Sequence, residues 1–306
     1  MKILVTSAGG PAAVGVIKSL QDFDSQGEHH ITATDITKDS AGFHMADMGY
    51  VVPKSTDEEF ISTIREIVEK EKIDILLPTG NLEIDQFESL SDITKVFMSE
   101  SKTIKLCNDK WDFYNKVKND FDVPKTWQTS SDKKWWRGFA RPRYELGGSR
   151  GVSYCETIFE HMVTQESGVE YIYSDYLPGQ EYTIDVLCDM KKPIIAVVRK
   201  RLQTKAGIST QGEVIRDKYI EKECMRMCEF LNLKGPVCIQ MKEDYDGVPK
   251  FVEVNPRFGG GTYFTTLAGV NFVKEIINIL NKKHNYSLDS KPKPIKVIRY
   301  FNEVVV

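Results

Sequence analysis

The sequence has few of the features that mark secreted, membrane-bound or nucleic-acid-binding proteins. Its six cysteines are scattered over 306 residues without a Cys-x-x-Cys pair, so we expect buried thiols and no disulfide framework. A net charge of −3 gives no reason to expect a nucleic acid or a membrane surface as a partner. No apolar run approaches the ~20 residues of a membrane-spanning helix. The chain opens on a strand-like segment without a signal-like region, and we therefore expect a cytoplasmic protein.

The first hundred residues alternate between strand and helix patterns. A helix is predicted over residues 57–72, where one face is apolar. Short apolar runs predict buried strands at 2–6, 30–34 and 73–78. This order is typical of an open parallel α/β sheet. The turn after the first strand contains Gly9 and Gly10, and Gly15 follows in the next predicted helix. The three glycines do not match the dinucleotide-binding spacing, so we interpret the turn as structural.

The loop after the third apolar run, residues 79–83, contains one acidic side chain. Ligands collect at the carboxyl ends of strands in open α/β sheets, so Glu83 could contact a substrate. The alternative is an ordinary acid in the first turn of a helix. The pattern leaves both interpretations open.

The most informative segment is residues 251–262, which run from a strand into a glycine-rich turn. Val252 and Val254 alternate with Glu253 and Asn255, so the two polar side chains should project from the same face. A carboxylate and a carboxamide oxygen placed side by side suit Mg²⁺. Arg257 follows two residues later and could hold a phosphate oxygen. The segment thus predicts a site that handles a metal and phosphate together.

A second glycine-rich segment follows a basic strand end. Arg141 precedes a loop whose backbone N–H groups could approach phosphate oxygens, because glycine allows close approach. The loop consists of Gly147, Gly148, Ser149, Arg150 and Gly151.

The rest of the chain is expected to form strands with three helices among them. A helix over 107–121 marks a shift in composition. Arg199 and Arg201 share one side of a strand predicted over 194–201. They could bind a substrate carboxylate, or they could lie on a solvated strand face with surface ion pairs. Further strands are predicted at 170–177, 181–189, 236–241 and 297–306, and further helices at 219–232 and 272–280.

Taken together, these segments resemble the ATP-grasp superfamily. The closest likeness is to the ATP-binding domains of carbamoyl-phosphate synthetase large subunits and to stand-alone carboxylate–amine ligases related to them. The resemblance implies an α/β fold in which an N-terminal open parallel, Rossmann-like (pre-ATP-grasp) domain, residues 1–106, precedes a two-lobed α+β ATP-grasp domain. That second domain would span 107–306, with a small lobe at about 124–179 and a large lobe at about 180–306.

The same resemblance implies roles for individual residues. Gln240, Glu253 and Asn255 match the Mg²⁺ ligands, and the glutamine is one that carbamoyl-phosphate synthetases share where many members carry an acid. Arg257 and Arg141 match catalytic residues. The residues matching ATP contacts are Lys110, Arg141, Gly147, Gly148, Ser149, Arg150, Gly151, Asp175, Leu177, Glu181, Gly207, Ile208 and Ser209.

The resemblance implies an ATP- and Mg²⁺-dependent ligase, with Mn²⁺ as a possible replacement ion. It would activate a carboxylate as an acyl phosphate and join it to an amine. The alternatives are a phosphotransferase or carboxylase-type partial reaction on the same fold, and a nucleotide-binding module without turnover. The expected partners are small-molecule substrates, and a homodimer is the default expectation for the assembly.

Overall fold

The structure is a computed structural model. It describes residues 1–24, 26–128, 138–144, 151–156, 168–282 and 291–305. Four predicted ATP contacts, Gly147, Gly148, Ser149 and Arg150, therefore lie outside the described residues.

The N-terminal region is a five-stranded sheet in the order β3-β2-β1-β4-β5. Every neighbouring pair in it is parallel, as the sequence pattern predicts. Its strands are β1 (Lys2–Val5), β2 (His30–Asp35), β3 (Met48–Val51), β4 (Ile75–Leu77) and β5 (Lys95–Val96). The carboxyl ends of β1, β2 and β4 meet at one edge, and the loops that follow them gather there.

Helices cover both faces of this sheet because successive strand residues point to opposite sides. Ile3 packs with the apolar side chains of α1, whereas Leu4 packs with those of α3. Helix α1 begins at Pro11, earlier than its apolar pattern suggests, since proline lacks the N–H that a first helical position leaves unpaired. The helices are α1 (Pro11–Phe23), α2 (Ala41–Met45) and α3 (Phe60–Glu71), and a 3₁₀ helix spans Ile84–Leu90.

The single helix predicted over 107–121 is wrong. Two helices, α4 (Ser101–Asn108) and α5 (Lys110–Val117), meet at Asp109, whose backbone is extended. The Asp109 carboxylate accepts hydrogen bonds of 3.0 Å from the N–H groups of Trp111 and Asp112 and so begins α5. The cap ends one helix and starts another, which places Lys110 at the first position of α5.

The largest sheet has six antiparallel strands in the order β14-β13-β10-β11-β12-β15. One face of this sheet packs under α6 (Lys218–Phe230). As the alternation predicts, that face carries the side chains of Tyr182, Ile184, Val186 and Cys188. The strands are β10 (Glu181–Cys188), β11 (Pro193–Lys205), β12 (Ile208–Ile215), β13 (Gly235–Glu243), β14 (Pro249–Asn255) and β15 (Ile295–Ile298).

The closing strand predicted over 297–306 is also wrong, because β15 starts earlier and ends at Ile298. The backbone N–H of Arg299 still donates to Thr210, but its guanidinium turns inward to the carbonyl of Gly260. The chain leaves the sheet at that point.

A third sheet of four antiparallel strands, in the order β6-β9-β7-β8, forms the smaller lobe. It faces the strand end that carries the predicted metal ligands. Its strands are β6 (Thr126–Trp127), β7 (Gly138–Pro142), β8 (Ser153–Cys155) and β9 (Tyr171–Asp175).

The N-terminal sheet and the six-stranded sheet are joined through a common core. Helices α7 (Thr262–Leu267) and α8 (Phe272–Leu280) lie against α1, and apolar side chains of α1 and α8 form one buried cluster with side chains of both sheets. The hydroxyls of Ser19 and Thr266 are 2.7 Å apart across this contact. The two walls of the space between the sheets are therefore held at a fixed separation. Within the described ranges, no helix has the length and apolar character needed to cross a bilayer.

Candidate nucleotide and substrate site

A β-bulge shapes the strand that carries the predicted metal ligands. Gln240 pairs with Glu253 but Met241 pairs with Phe251, so Val252 is an extra residue on β14. The predicted alternation of Val252 and Val254 is therefore wrong: Phe251 and Val254 enter the core, and Val252 stays partly exposed. Because the bulge precedes Glu253, the two-residue spacing from Glu253 to Asn255 is unaffected.

The predicted metal ligands lie together. The Asn255 Nδ2 donates to Glu253 Oε1 at 2.8 Å, so the two side chains do share a face. Gln240 is directly opposite Glu253 on the neighbouring strand. No group of three His, Cys, Asp or Glu side chains suited to a metal occurs in the part of the chain that the structure describes. One carboxylate with two carboxamide oxygens nevertheless fits Mg²⁺, which commonly takes one or two carboxylates and completes its shell with phosphate and water.

A cavity of about 330 Å³ opens between the four-stranded sheet and the six-stranded sheet. Its walls combine charged side chains, Glu253 among them, with apolar and aromatic ones, which suits a ligand that carries both charged groups and a flat ring. The predicted site residues that line it are Lys110, Arg141, Asp175, Leu177, Glu181, Arg201, Gly207, Gln240 and Glu253.

Arg141 lies buried in this first cavity with its hydrogen-bonding capacity partly unused. Its Nη1 donates to the carbonyl of Val252 at 3.2 Å, but no described residue accepts a hydrogen bond from its Nε. Desolvation is the larger influence and lowers the pKa of the guanidinium, while the nearby charge of Glu253 raises it. A buried cation with an unpaired donor is costly, and a bound anion would relieve that cost.

Arg201 and Glu181 form an ion pair between the first cavity and a second one. Arg201 Nη1 lies 2.5 Å from Glu181 Oε1, and Nη2 donates to the carbonyl of Gly207 at 2.6 Å. Gly207 is in the turn between β11 and β12, where its φ of 75° falls in the left-handed region that glycine adopts without strain. The ion pair thus holds this turn at the wall of the first cavity.

The second cavity, of about 660 Å³, lies between the strand ends of the N-terminal sheet and the six-stranded sheet. Four loops of the N-terminal sheet line it, those after β1, β2, β3 and β4. Both cavities are lined by Arg201, Gly207, Gln240 and Glu253. They therefore meet at the predicted metal ligands.

Several predicted residues lie at the second cavity and not at the first. Asn255, Arg257 and Arg199 line it, and so do Ile208 and Ser209, which begin β12. Gly151, a predicted ATP contact, lies in a turn with φ of 74° and lines neither cavity. The structure thus divides the predicted ATP contacts between two neighbouring spaces.

The interpretation of Arg199 and Arg201 as a solvated strand face is wrong. Arg199 is 1% exposed, because Phe264 and the Gly261 backbone pack against its guanidinium. Its Nη1 lies 2.9 Å from Asp185 Oδ2, which also accepts a 2.5 Å hydrogen bond from Thr265. Among the residues that the structure describes, none accepts a hydrogen bond from the Nε of Arg199.

Glu83 is a buried cavity residue and not an exposed helix acid. It accepts hydrogen bonds from the Thr6 hydroxyl and from the Gly80 N–H, and it lines the second cavity. Burial is the main cause that raises its pKa, against the hydrogen bonds from Thr6 and Ser7. Its carboxyl therefore retains a proton to higher pH than an exposed glutamate does.

Asn81 is a site residue that the sequence pattern did not single out. Its Oδ1 accepts a 2.7 Å hydrogen bond from Arg257 Nε, and its Nδ2 lies 3.3 Å from Asn255 Oδ1. The only signal in the sequence was its position in the loop after β4, two residues before Glu83. That position did not reveal contacts with residues more than 170 positions away.

Two family models match the chain. One is described as ATP-grasp in the biosynthetic pathway with Ter operon and matches residues 168–303. The other is described as PylC-like, N-terminal domain, and matches residues 3–103. A comparison with curated proteins gave no match.

Solved structures share the fold over nearly the whole chain. The biotin carboxylase domain of 2-oxoglutarate carboxylase from Hydrogenobacter thermophilus has a TM-score of 0.73 at 15% identity, covering 92% of this chain and 69% of that one. N5-carboxyaminoimidazole synthetase from Staphylococcus aureus has a TM-score of 0.73 at 14% identity, covering 91% and 76%. L-Amino acid ligase from Bacillus licheniformis has a TM-score of 0.71 at 14% identity, covering 96% and 78%. With both family matches, these similarities confirm the predicted fold class and the predicted resemblance: residues 168–303 match an ATP-grasp family, residues 3–103 match a PylC-like N-terminal domain, and nearly the whole chain shares the fold of ATP-grasp structures.

Proposed function

We propose that this protein is an ATP- and Mg²⁺-dependent ligase that joins a carboxylate to an amine through an acyl phosphate. The observation that carries the proposal is the meeting of two cavities at Glu253 and Gln240. A nucleotide in the first cavity and a carboxylate in the second would face each other across these side chains. The atoms balance when carboxylate, ammonium and ATP yield amide, ADP, phosphate and a proton.

The first cavity is the proposed nucleotide site. Arg141 would pair its unused Nε with a phosphate oxygen, and Lys110 at the start of α5 would add a second positive charge. Asp175 is proposed to hold the ribose hydroxyls and Leu177 to lie beside the base. The Staphylococcus aureus synthetase was solved with ADP, which supports a nucleotide on this fold.

Glu253, Asn255 and Gln240 are the proposed magnesium ligands. When bound there, Mg²⁺ would offset the negative charge of the phosphates. The Hydrogenobacter thermophilus domain was solved with MgADP and bicarbonate, which supports this ion. Mn²⁺ is proposed as an alternative because it accepts the same oxygen ligands.

The second cavity is the proposed site for the carboxylate and amine. Arg257 lies at its edge, with its Nε held by Asn81 and its Nη1 held by the carbonyl of Phe258. A fixed guanidinium stabilises charge that develops in a transition state at little reorganisation cost. Arg199 remains a candidate for the substrate carboxylate, acting through its unpaired Nε. The loop from Gly147 to Gly151 is proposed to cover the phosphates and exclude water.

A carboxylase-type reaction is the second candidate, because biotin carboxylase domains share this fold. The volume of the second cavity, about 660 Å³, favours an organic substrate over bicarbonate alone. A phosphotransferase would also use these residues, whereas a module without turnover would not need Arg257 beside the metal ligands. We retain a cytoplasmic location as a prediction. The dimer in the Hydrogenobacter thermophilus structure supports our prediction of a homodimer.

The deciding experiment measures ADP release from Mg²⁺-ATP over a panel of carboxylates crossed with amines. A ligase releases ADP only when both substrates are present, and mass spectrometry then detects a product equal to their sum minus water. ADP release with bicarbonate and an amine alone would favour a carboxylase. Phosphate transfer without an amine would favour a phosphotransferase, and nucleotide binding without turnover over the panel would refute a ligase.

A further inference from the structure

Four side chains from two segments, the loop after β4 and the end of β14, form one continuous chain of hydrogen bonds beside the proposed metal site. Arg257 Nε donates to Asn81 Oδ1 at 2.7 Å. Asn81 Nδ2 donates to Asn255 Oδ1 at 3.3 Å, and Asn255 Nδ2 donates to Glu253 Oε1 at 2.8 Å. The chain runs from a guanidinium to a carboxylate and passes through two carboxamides.

The charged ends fix the direction of this chain. A guanidinium can only donate, so the atom of Asn81 that faces Arg257 must be its oxygen. The nitrogen of Asn81 then faces Asn255, which must present its own oxygen there. Glu253 lies within hydrogen-bonding distance of the Asn255 nitrogen and, as a carboxylate, can only accept. Neither amide can be turned over without placing two donors or two acceptors in contact.

The loop that carries Asn81 is itself firmly placed. Thr79 Oγ1 donates to the carbonyl of Thr6 at 2.6 Å, which ties the loop to β1. A side chain at Gly80 would overlap the Ser7 hydroxyl and the Glu83 carboxylate, so the backbone there packs closely against the turn after β1. Asn81 thus projects from a rigid part of the N-terminal sheet and reaches the six-stranded sheet.

We propose that Asn81 is a positioning residue that sets the orientation of the Asn255 carboxamide, with Arg257 as its anchor. The inference rests on the proposed function, because it assigns Asn255 to the metal. A carbonyl oxygen has two lone pairs, so Asn255 Oδ1 can accept from Asn81 and still bind a cation. The N-terminal domain, and not only the ATP-grasp domain, then completes the metal site.

The test measures binding of Mn²⁺ without turnover. Electron paramagnetic resonance counts free Mn²⁺ in the presence of protein and the non-hydrolysable nucleotide AMPPNP. Relative to wild type, Asn81→Ala should weaken Mn²⁺ binding about three- to tenfold, the range for one lost hydrogen bond that orients a ligand. The matched control is Asn119→Ala, the same change at an exposed turn residue, which should bind Mn²⁺ as wild type does.

A double-mutant cycle separates positioning from a general structural role. If Asn81 acts through Asn255, Asn81→Ala should have no further effect on Mn²⁺ affinity in an Asn255→Ala background. If it only supports the loop, the two losses should be independent and their fold-changes should multiply. Independent losses would overturn the proposal, and so would an Asn81→Ala affinity within twofold of the Asn119→Ala control.

The measurement also distinguishes failure of the role of Asn81 from failure of the proposed metal site. If Asn81→Ala does not fold, Asn81→Ser keeps a polar group too short to reach both partners and takes its place in the cycle with the same expected result. Wild-type protein that binds AMPPNP but shows no Mn²⁺ site would overturn the proposed metal ligands and the role of Asn81 together. A Mn²⁺ site that persists with unchanged affinity in Asn81→Ala would overturn the role of Asn81 alone.

Discussion

The buried ion pair between Arg199 and Asp185 makes a sharp prediction about stability. Arg199→Met keeps much of the side-chain volume but removes the only cation that contacts Asp185 among the described residues. Asp185 would remain 2% exposed, with the Thr265 hydroxyl as its remaining side-chain donor. Leaving a charge buried and unpaired in this way costs ~3–5 kcal/mol.

The expected loss can be expressed as a temperature. The cost is divided by an unfolding entropy of ~2.1 cal/mol/K per residue, taken over cooperative unfolding of 306 residues. The midpoint of thermal unfolding should then fall by roughly 5–8 °C. Differential scanning calorimetry measures the midpoint directly. Arg216→Met is the matched control, because Arg216 pairs with Glu221 at the surface, where an ion pair contributes about 0–1 kcal/mol.

The pairing itself is tested by combining two changes. Asp185→Leu alone should also destabilise, because it leaves Arg199 buried without its carboxylate. The double variant Arg199→Met with Asp185→Leu should lose clearly less than the sum of the single losses, since neither charge remains unpaired. Additive losses, or an Arg199→Met midpoint equal to that of Arg216→Met, would refute the reasoning.

Three further predictions concern the site. Glu253→Gln should lower Mg²⁺-dependent ADP release by at least about a hundredfold while the unfolding midpoint stays near wild type, and near-normal release would contradict the metal assignment. Arg257→Ala should lower kcat by about 10²–10³ with a much smaller change in ATP affinity; an unchanged kcat would argue against a transition-state role. Burial raises the pKa of Glu83 above its usual 4.5. The folded state therefore gains stability from the protonated carboxyl at pH values below the unfolded-state pKa. That contribution is lost as the pH rises through the folded-state pKa. Glu83→Gln should therefore gain thermal stability over wild type at pH 8 and lose that advantage towards pH 4, and an advantage independent of pH would contradict the burial argument.

The strand that carries Glu253 shows why local patterns succeeded in one respect and failed in another. The two-residue spacing placed Glu253 and Asn255 on one face, and their 2.8 Å hydrogen bond shows that they are there. The apolar half of the same pattern failed, since the bulge at Val252 brings Phe251 into the core in its place. A bulge depends on pairing with β13, so the strand's own sequence did not reveal it.

Arg199 shows a second limit of local reasoning. Its alternation with Arg201 correctly placed both on one side of a strand, but it carried no information on whether that side faces water. The burial of Arg199 follows from the packing of Phe264 and the Gly261 backbone against the guanidinium. Its partner Asp185 lies 14 positions earlier in the sequence, on the neighbouring strand β10, so the local pattern around Arg199 did not include it.

The sequence by itself determined the local architecture: the parallel α/β start, most of the later strands, and the polar pair at the end of β14. Each of these follows from side-chain periodicity and turn residues within a short stretch of chain. Only the tertiary structure decided that Asn81 reaches Asn255 and Arg257, and that two cavities meet at Glu253. Those relations depend on how separate sheets pack, because the core that α1 and α8 share with strands of both sheets sets the distance between residues far apart in sequence.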